Sequence, residues 1–306
     1  MKRLLLGLLV MGMAVGLSSV GWAKPKIRIA SKHFTEGYLL TELMAQLLTA
    51  WGYEVERFHG LGGTMVCFKA LTSGKIDLYP EYTGTIEQEI LKAPGRLSDE
   101  ALRRELRDRF GLALGQTFGF NNTYAIALTQ VKAKGLGLAK ISDLIRHPEL
   151  KAGFSYEFLK RQDGWEAPAQ AYGLRLNAVG LEHGLAYEAL VKGAIDLTDA
   201  YTTDAKIEKF NLMILQDDRD FFPKYLAAPL IRAGLAEELG PILQPLSQCL
   251  DERSMRALNA RVELEKVPFV EAARDFLVQE GLISGLGKAP LPALFARIGG
   301  RTFLCP

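Results

Sequence analysis

Apolar and polar residues follow two alternating periods along this chain, and these periods predict strands and helices in turn. Lys26–Ala30 alternates with the two-residue period of a strand, and Gly37–Ala50 carries one apolar face at helical spacing. Either Ser31 or Thr35 is suited to cap this helix. Strands and helices continue to alternate until Ala236–Ile283, where helices dominate. This order predicts an α/β fold with mainly parallel sheets.

One segment of this pattern occurs twice, 119 residues apart. Phe68–Thr85 aligns without a gap with Tyr187–Asp204, and each copy predicts a helix ending at a glycine, a short apolar strand and a loop. Each loop carries a tyrosine followed by a threonine, beginning at Tyr82 and at Tyr201. Common α/β sequence patterns could explain the helix and strand match, but they explain the Tyr-Thr match poorly. The repeat therefore predicts two similar lobes with a ligand between their strand-end loops.

The first 23 residues differ from the rest of the chain. Lys2-Arg3 is followed by the apolar stretch Leu4–Val20, and Gly21–Ala23 places small residues where a signal peptidase cleaves. An uncleaved anchor helix is the alternative, but the stretch is barely long enough to span a bilayer. We therefore expect a signal peptide over residues 1–23, cleaved near Ala23, and a soluble protein in the periplasm.

The charge balance excludes one class of partner. Without Lys2 and Arg3, the 37 basic residues fall to 35, which equals the 35 acidic residues. Nucleic-acid binding requires a positively charged patch, and the sequence contains no basic run that could supply one. No further apolar stretch is long enough to cross a membrane.

The three cysteines allow one disulfide and one buried thiol. Export permits a disulfide, and a Cys249–Cys305 bridge would hold the C-terminal tail, although the sequence leaves this pairing open. Cys67 falls in a helical pattern and is expected to be a small buried residue.

Candidate catalytic groups are few. The four histidines are scattered without a zinc spacing, and no Gly-x-Ser-x-Gly elbow occurs. Gly60–Thr64 lacks the lysine of a phosphate loop, so a tight turn is favoured over an anion site. Cys67 is the one possible nucleophile of a cleft, and its pattern predicts burial. We therefore expect a protein that is not an enzyme and has no catalytic residue, metal site or cofactor.

Aromatic side chains are the most distinctive candidates for ligand contacts in the loops. Four tyrosines lie in or beside loops that follow predicted strands. A quaternary ammonium group donates no strong hydrogen bond, so ring faces must hold it, and each contact contributes roughly 0.5–2 kcal/mol. A carboxylate elsewhere on such a ligand needs an arginine and a lysine. This inventory indicates binding of a small cation-bearing solute.

Seven loop motifs, in this order, carry a family resemblance. The motifs are Ser31–Glu36, Gly60–Thr64, Tyr79–Thr85, Gly119–Tyr124, Glu157–Trp165, Asp199–Asp204 and Asp217–Tyr225. With these motifs, the chain resembles the substrate-binding proteins of glycine betaine/choline (osmoprotectant, quaternary ammonium) ABC importers over about residues 27–283.

The resemblance implies a type II periplasmic-binding-protein fold, in which two α/β lobes joined by two crossing segments close on a ligand. Lobe I is expected to comprise residues 24–125 and 226–306, and lobe II residues 126–225. This division places one copy of the repeat in each lobe.

The resemblance also implies the site residues. Members of the family hold a trimethylammonium group in a box of tyrosines and meet a ligand carboxylate with a lysine, a threonine and an arginine. His33 departs from the small polar residue expected after the lysine, which leaves the pocket edge and the exact ligand open. The matching positions are Tyr82, Tyr124, Tyr201 and Tyr225 for the box, and Lys32, Thr85 and Arg161 for the carboxylate.

We therefore predict a monomeric, extracytoplasmic binding subunit of an ABC importer that delivers a quaternary ammonium compound to a membrane permease. Glycine betaine is the first choice of ligand and choline the second, with carnitine, proline betaine and ergothioneine open. Osmoprotection is the family expectation, and nutrient uptake is also open. Two other classes of function remain as alternatives, a small-molecule transferase and a sensor module on the same two-lobed fold.

Overall fold

The computed structural model of this protein describes residues 24–160 and 164–285, without the side chain of Glu157. Three predictions concern residues outside this part of the chain: the signal peptide over residues 1–23, the role of Arg161, and the pairing of Cys249 with Cys305. They stay predictions.

Ten strands and thirteen α-helices alternate along the described chain. The strands are β1 (Ile27–Lys32), β2 (Val55–Gly62), β3 (Leu78–Tyr82), β4 (Leu112–Leu114), β5 (Tyr124–Thr129), β6 (Lys151–Ser155), β7 (Asn177–Leu181), β8 (Thr198–Tyr201), β9 (Leu212–Ile214) and β10 (Ala227–Arg232). The helices are α1 (Thr35–Ala50), α2 (Thr64–Thr72), α3 (Thr83–Thr85), α4 (Asp99–Phe110), α5 (Gln130–Leu136), α6 (Tyr156–Lys160), α7 (Glu166–Tyr172), α8 (His183–Val191), α9 (Ala205–Lys209), α10 (Ala233–Leu243), α11 (Leu246–Cys249), α12 (Glu252–Glu263) and α13 (Phe269–Gln279). A π-helix at Ile86–Leu91 and a 3-10 helix at Ile141–Arg146 complete the set.

The strands form two sets with the same order. In the first set the order is β2-β1-β3-β10-β4, with β1 parallel to β2 and β3, and β10 antiparallel to β3 and β4. In the second set β6 and β7 are parallel, β5 is antiparallel to β8 and β9, and a parallel bridge joins Ala152 to Leu197 beside β8. The second order is therefore β7-β6-β8-β5-β9, and β3 corresponds to β8 and β10 to β5.

The sheets are mixed, which corrects the expectation of mainly parallel sheets. The chain crosses from one set of strands to the other twice. The first strand after each crossing is β5 in the second set and β10 in the first, and it runs antiparallel to both of its neighbours. Strand β10 was not predicted, because five of its six residues are buried and the segment therefore lacks strict alternation.

The internal repeat corresponds to equivalent structure in both sets. Asp77 Oδ2 accepts a hydrogen bond from the backbone N–H of Arg28 at 2.8 Å, and Asp196 Oδ2 accepts one from Lys151 N at the same distance. Each aspartate thus anchors the start of the neighbouring parallel strand. Gly74 and Gly193, which end the two repeat helices, have φ of +69° and +72°, a conformation that glycine adopts without strain.

Apolar burial is divided in the same way as the strands. Helix α1 packs one core cluster of the first set with α10, α12 and α13, and α2 and α4 cover a second cluster on the opposite face. The second set has two corresponding clusters, one that includes the buried rings of Phe154 and Phe158 and one that includes Tyr187 on α8. Each set of strands therefore has helices on both faces, as an α/β architecture requires.

Two crossing segments connect the sets and lie side by side. Asn121 and Leu226 form an antiparallel bridge, and Asn122 N donates to Tyr225 O at 3.1 Å. The expected lobe boundary between residues 125 and 126 falls inside β5, which begins at Tyr124. The other expected boundary, between residues 225 and 226, directly precedes β10.

Local predictions at the first helix are partly wrong. Helix α1 begins at Thr35, and neither Ser31 nor Thr35 caps it with a side chain, since Phe34 occupies the cap position. The Ser31 hydroxyl instead accepts a hydrogen bond from Gly60 N at 2.9 Å and joins β1 to β2. Within the described residues, we find no helix whose length and apolar character would let it cross a bilayer.

Candidate ligand-binding site

A cavity of about 700 Å³ lies at the edge where the parallel strands of both sets end. Lys32, Tyr82 and Tyr201 are the last residues of β1, β3 and β8, and the antiparallel strand β5 begins at this edge with Tyr124. Arg161 is outside the described residues. The structure places the other six predicted site residues around this one cavity, namely Lys32, Tyr82, Thr85, Tyr124, Tyr201 and Tyr225.

Two tyrosines of the second set form one wall. Tyr124 and Tyr201 are directly opposite each other across the β5–β8 pair, with ring centroids 4.9 Å apart and hydroxyl oxygens 3.1 Å apart. Phe158 packs behind Tyr124 at a centroid distance of 4.8 Å. The opposing strand positions therefore place two aromatic rings together on the cavity wall, where a cationic headgroup could contact both.

Tyr82 belongs to the first set and is only 5% exposed. Its hydroxyl donates to Glu36 Oε1 at 2.5 Å, and Phe34 lies 6.2 Å away between ring centroids. Burial, together with the Glu36 carboxyl, raises the pKa of Tyr82 well above its usual range. Tyr82 is therefore a neutral phenol with a fixed ring plane.

Tyr225 comes from the second crossing segment and depends on a glycine. Its hydroxyl donates to Gln88 Oε1 at 3.0 Å, and its backbone N–H donates to Asn121 Oδ1 at 2.7 Å. A Cβ atom on Gly84 would lie 2.8 Å from the Tyr225 ring. Gly84 thus lets the ring lie directly against α3, next to Thr85.

Lys32 is already paired with an acid. Its ammonium group lies 2.5 Å from Glu81 Oε1, and the Glu81 side chain is fully buried while that of Lys32 is 12% exposed. The same ammonium lies 4.9 Å from the centroid of the Tyr82 ring. Glu81 offsets the charge of Lys32, and the ammonium has further N–H groups for a ligand acceptor.

His183 is a cavity residue that the sequence analysis passed over. Its Nδ1 lies 3.4 Å from Asp199 Oδ2, its Nε2 lies 3.1 Å from Asp204 Oδ2, and its ring lies 5.3 Å from that of Tyr201. Burial lowers the pKa of His183, but the two carboxylates outweigh it and raise the pKa to about 10. His183 is therefore an imidazolium whose charge is satisfied within the wall.

Glu36 is a second residue that the sequence analysis did not assign. Its side chain faces the cavity and accepts hydrogen bonds at 3.0 Å from Asn122 Nδ2 and from Asn259 Nδ2, besides the one from Tyr82. The motifs around Glu36 and Asn122 were recognised, but only their lysine and tyrosine were assigned. Asn259 lies on α12, far along the chain, and nothing in the local pattern distinguishes it.

Two observations concern metal-binding groups and the candidate nucleophile. Within them, no group of three or more His, Cys, Asp or Glu side chains could hold a metal ion. The Cys67 thiol is buried, as predicted, and burial raises its pKa to about 11. A thiol with a raised pKa is a poor nucleophile at neutral pH.

Comparison with known proteins gives one family match that spans most of the chain. Residues 25–279 match the family described as the substrate binding domain of ABC-type glycine betaine transport system.

Individual relatives agree with this match. A glycine-betaine-binding protein of Pseudomonas aeruginosa is 34% identical over 88% of this chain and 92% of its own length. The ergothioneine transport permease/ergothioneine binding protein EgtU of Helicobacter pylori is 32% identical over 87% of this chain, which spans about half (51%) of that protein. A solved structure of a glycine betaine/carnitine/choline ABC transporter superimposes with a TM-score of 0.79 at 25% identity, covering 84% of this chain and 99% of that one.

Proposed function

Because this chain belongs to the family of substrate-binding domains of ABC-type glycine betaine transport systems, we propose that its cavity captures glycine betaine or a related quaternary ammonium solute. The type II periplasmic-binding-protein fold predicted from the sequence is confirmed. So is the role of substrate-binding subunit of an ABC importer. The transferase and sensor alternatives do not fit this family.

One observation carries the proposal: four tyrosines from both sets of strands surround a single cavity. A trimethylammonium group offers no N–H, so ring faces are the partners that a protein can give it. Carboxylates also outnumber cations in and around the described wall. The cationic side chains are Lys32 and His183, and the acidic ones are Glu36, Glu81, Asp199, Asp204 and Glu263.

Glycine betaine is our first choice of ligand and choline the second. Lys32 and Thr85 line the cavity and are assigned, together with Arg161, to a ligand carboxylate. A zwitterionic betaine would place its ammonium group among the tyrosines and its carboxylate toward these three residues. Carnitine and ergothioneine, which appear in the names of relatives, carry the same two groups and stay in the tested set.

Capture proceeds by closure of two lobes. We keep the division expected from the sequence, residues 24–125 and 226–306 for lobe I and residues 126–225 for lobe II, except that the whole of β5 belongs to lobe II. The two crossing segments join the lobes. Tyr82 and Tyr201 stand on opposite lobes, so a ligand that touches both stabilises the closed form over the open one. The permease then receives the closed complex.

The setting of the protein follows from the same proposal. It is exported with cleavage of a signal peptide near Ala23, acts as a monomer in the periplasm, and partners a membrane permease rather than nucleic acid. We expect no catalysis, because the Cys67 thiol is buried and burial raises its pKa to about 11.

Thermal unfolding and calorimetry with a ligand panel test the proposal. The panel contains glycine betaine, choline, carnitine, proline betaine, ergothioneine and, as a control, glycine, which lacks the methyl groups. A ligand at 100 times its Kd stabilises the folded protein by about 2.7 kcal/mol. We expect at least one quaternary ammonium compound to raise the Tm and glycine to leave it unchanged. Binding of none of them, or equal binding of glycine, would refute the proposal.

A further inference from the structure

A buried carboxylate without a cationic partner faces the cavity. Glu36 is 3% exposed, and among the described residues no Lys, Arg or His nitrogen lies within 4.0 Å of its carboxyl oxygens. Every other fully buried acid around the cavity has such a partner: Glu81 has Lys32, and Asp199 has His183. A buried carboxylate is unfavourable unless it is paired and hydrogen-bonded, so the missing partner of Glu36 is significant.

The surroundings of Glu36 are built to hold a negative charge in place. Tyr82 Oη, Asn122 Nδ2 and Asn259 Nδ2 all donate to its two oxygens. These donors come from β3, the first crossing segment and α12, so the carboxylate is fixed from three sides. The remaining amide oxygens of both asparagines are buried without a hydrogen-bond partner in the described protein, which leaves the local field negative.

We propose that Glu36 is the counter-charge for the ligand's quaternary ammonium group and selects cationic headgroups over uncharged groups of the same shape. The inference rests on the proposed function. The carboxylate acts directly through its charge and also through Tyr82, whose phenol it polarises by accepting the hydroxyl hydrogen bond. An electron-richer ring attracts a cation more strongly.

The two cationic side chains near Glu36 are already paired with other acids. Lys32 is paired with Glu81, and His183 is held between Asp199 and Asp204. Glu263 on α12 and the imidazole of His33 also line the cavity. Burial raises the pKa of Glu36, and an ammonium group seated beside the carboxyl would favour the ionised form.

Uncharged analogues separate charge from shape. Tert-butylacetate and the tert-butyl analogue of choline replace the ammonium nitrogen of glycine betaine and choline by carbon. Each protein variant is titrated with a ligand and its analogue by competition calorimetry, and the ratio of the two Kd values is the readout. For wild type we expect the ammonium ligand to bind at least about tenfold tighter than its analogue.

Glu36→Gln removes the charge and keeps the shape and the acceptor for Tyr82. We expect the ratio to fall by about tenfold to hundredfold, with little change in the Kd of the analogue. The double variant Glu36→Gln/Asn122→Asp returns a carboxylate to the same hydrogen-bonded pair and is expected to restore much of the ratio. An unchanged ratio in Glu36→Gln, or equal weakening of both compounds, would show a purely structural role and overturn the inference.

A measurement on a protein that keeps Glu36 covers the case in which Glu36→Gln does not fold. The ratio of choline and its tert-butyl analogue, neither of which titrates in this range, is measured from pH 7.5 down to pH 4 on wild type and on His33→Gln. Because burial holds the pKa of Glu36 above its ordinary value, we expect the ratio to decrease as the pH falls, and a ratio that stays constant down to pH 4 in both proteins would overturn the inference. A wild type that binds no ammonium compound at all would refute the proposed function and this inference with it.

Discussion

Tyr82 and Tyr201 occupy equivalent positions of the repeat, yet their hydroxyl groups have different partners. The Tyr82 hydroxyl donates to Glu36, whereas that of Tyr201 lies against the hydroxyl of Tyr124. Their rings are the common element, since both line the cavity. The two copies of the repeat thus have a tyrosine ring at the same strand end, but the hydrogen-bond partner of the hydroxyl differs between them.

Truncation of either ring should weaken binding. We expect Tyr82→Ala and Tyr201→Ala each to cost roughly 1–3 kcal/mol of binding free energy, because each removes one face of the aromatic wall. Tyr156→Ala is the matched control, since that ring is 57% exposed and does not line the cavity. Calorimetry that finds the same affinity in all three variants would contradict the tyrosine box.

Residue identities at the site were only partly accessible from the sequence. The loop motifs pointed to the four tyrosines, and the repeat pointed to Tyr82 and Tyr201 because both lie at the ends of buried strands. Glu36, His183 and Asn259 were missed, since a polar residue in a helix normally indicates a solvated face. Their importance comes from burial and from contacts between distant segments, which a local pattern does not encode.

At the scale of single elements, the glycine of α3 controls where Tyr225 sits. We expect Gly84→Ala to displace the Tyr225 ring, because the new Cβ would lie 2.8 Å from it, and to reduce ligand affinity. Overpacking of this kind costs about 1–3 kcal/mol. Gly95→Ala is the control, since its Cβ would meet nothing within 4 Å. Equal Tm and Kd values in both variants would contradict this role.

The aspartates that anchor the strand starts predict a pH dependence of stability. Burial raises the pKa of Asp77, but hydrogen bonds from Arg28 and Arg232 outweigh it and hold the pKa below its usual value. Its contribution to stability is therefore present above the unfolded pKa of about 3.9 and is lost as the pH falls through the lowered folded pKa.

Urea unfolding of Asp77→Asn at pH 7 and pH 3 tests this dependence. We expect a loss of about 1–3 kcal/mol at pH 7, as for hydrogen bonds to charged groups, and a smaller difference from wild type at pH 3. Asp108→Asn, on the exposed side of α4, should stay within about 0.5 kcal/mol of wild type at both pH values. A difference for Asp77→Asn that is constant with pH would argue against an ionic contribution.

Element prediction succeeded where one residue pattern dominates. The strand predicted at Lys26–Ala30 is β1 (Ile27–Lys32), and the helix predicted at Gly37–Ala50 is α1 (Thr35–Ala50). Strand β10 and helix α9 were missed because each is short and its pairing partners come from distant parts of the chain. The antiparallel entry of β5 and β10 could not be read from the sequence, since strand direction depends on how the chain crosses between lobes.

At the scale of the whole molecule, the two sets have the same strand order, and both contribute residues to the wall of the cavity. Neither set surrounds it alone, since Tyr82 and Lys32 come from the first and Tyr124 and Tyr201 from the second. The repeat predicted this division into two halves with a ligand between them. The tertiary links from α12, such as Arg256 Nη1 to Thr202 O at 2.9 Å, were not predictable.

Ligand binding should compact the molecule. We expect small-angle X-ray scattering to show a smaller radius of gyration with saturating glycine betaine or choline, whichever binds, because the ligand favours the form in which both lobes contact it. The double variant Tyr82→Ala/Tyr201→Ala at the same ligand concentration is the control and should remain unchanged. A wild-type radius that does not respond to a bound ligand would contradict lobe closure.

The pairing of the two crossing segments limits how such a motion can occur. Asn121 faces Leu226 and Asn122 N donates to Tyr225 O, so the connections form a two-stranded strap. Two paired segments bend together readily about an axis perpendicular to their length. Twisting them or sliding one along the other would break the hydrogen bonds between them. The lobes can therefore rotate about a single hinge axis that passes through both segments. Each closure then brings the tyrosines of the two lobes into the same alignment.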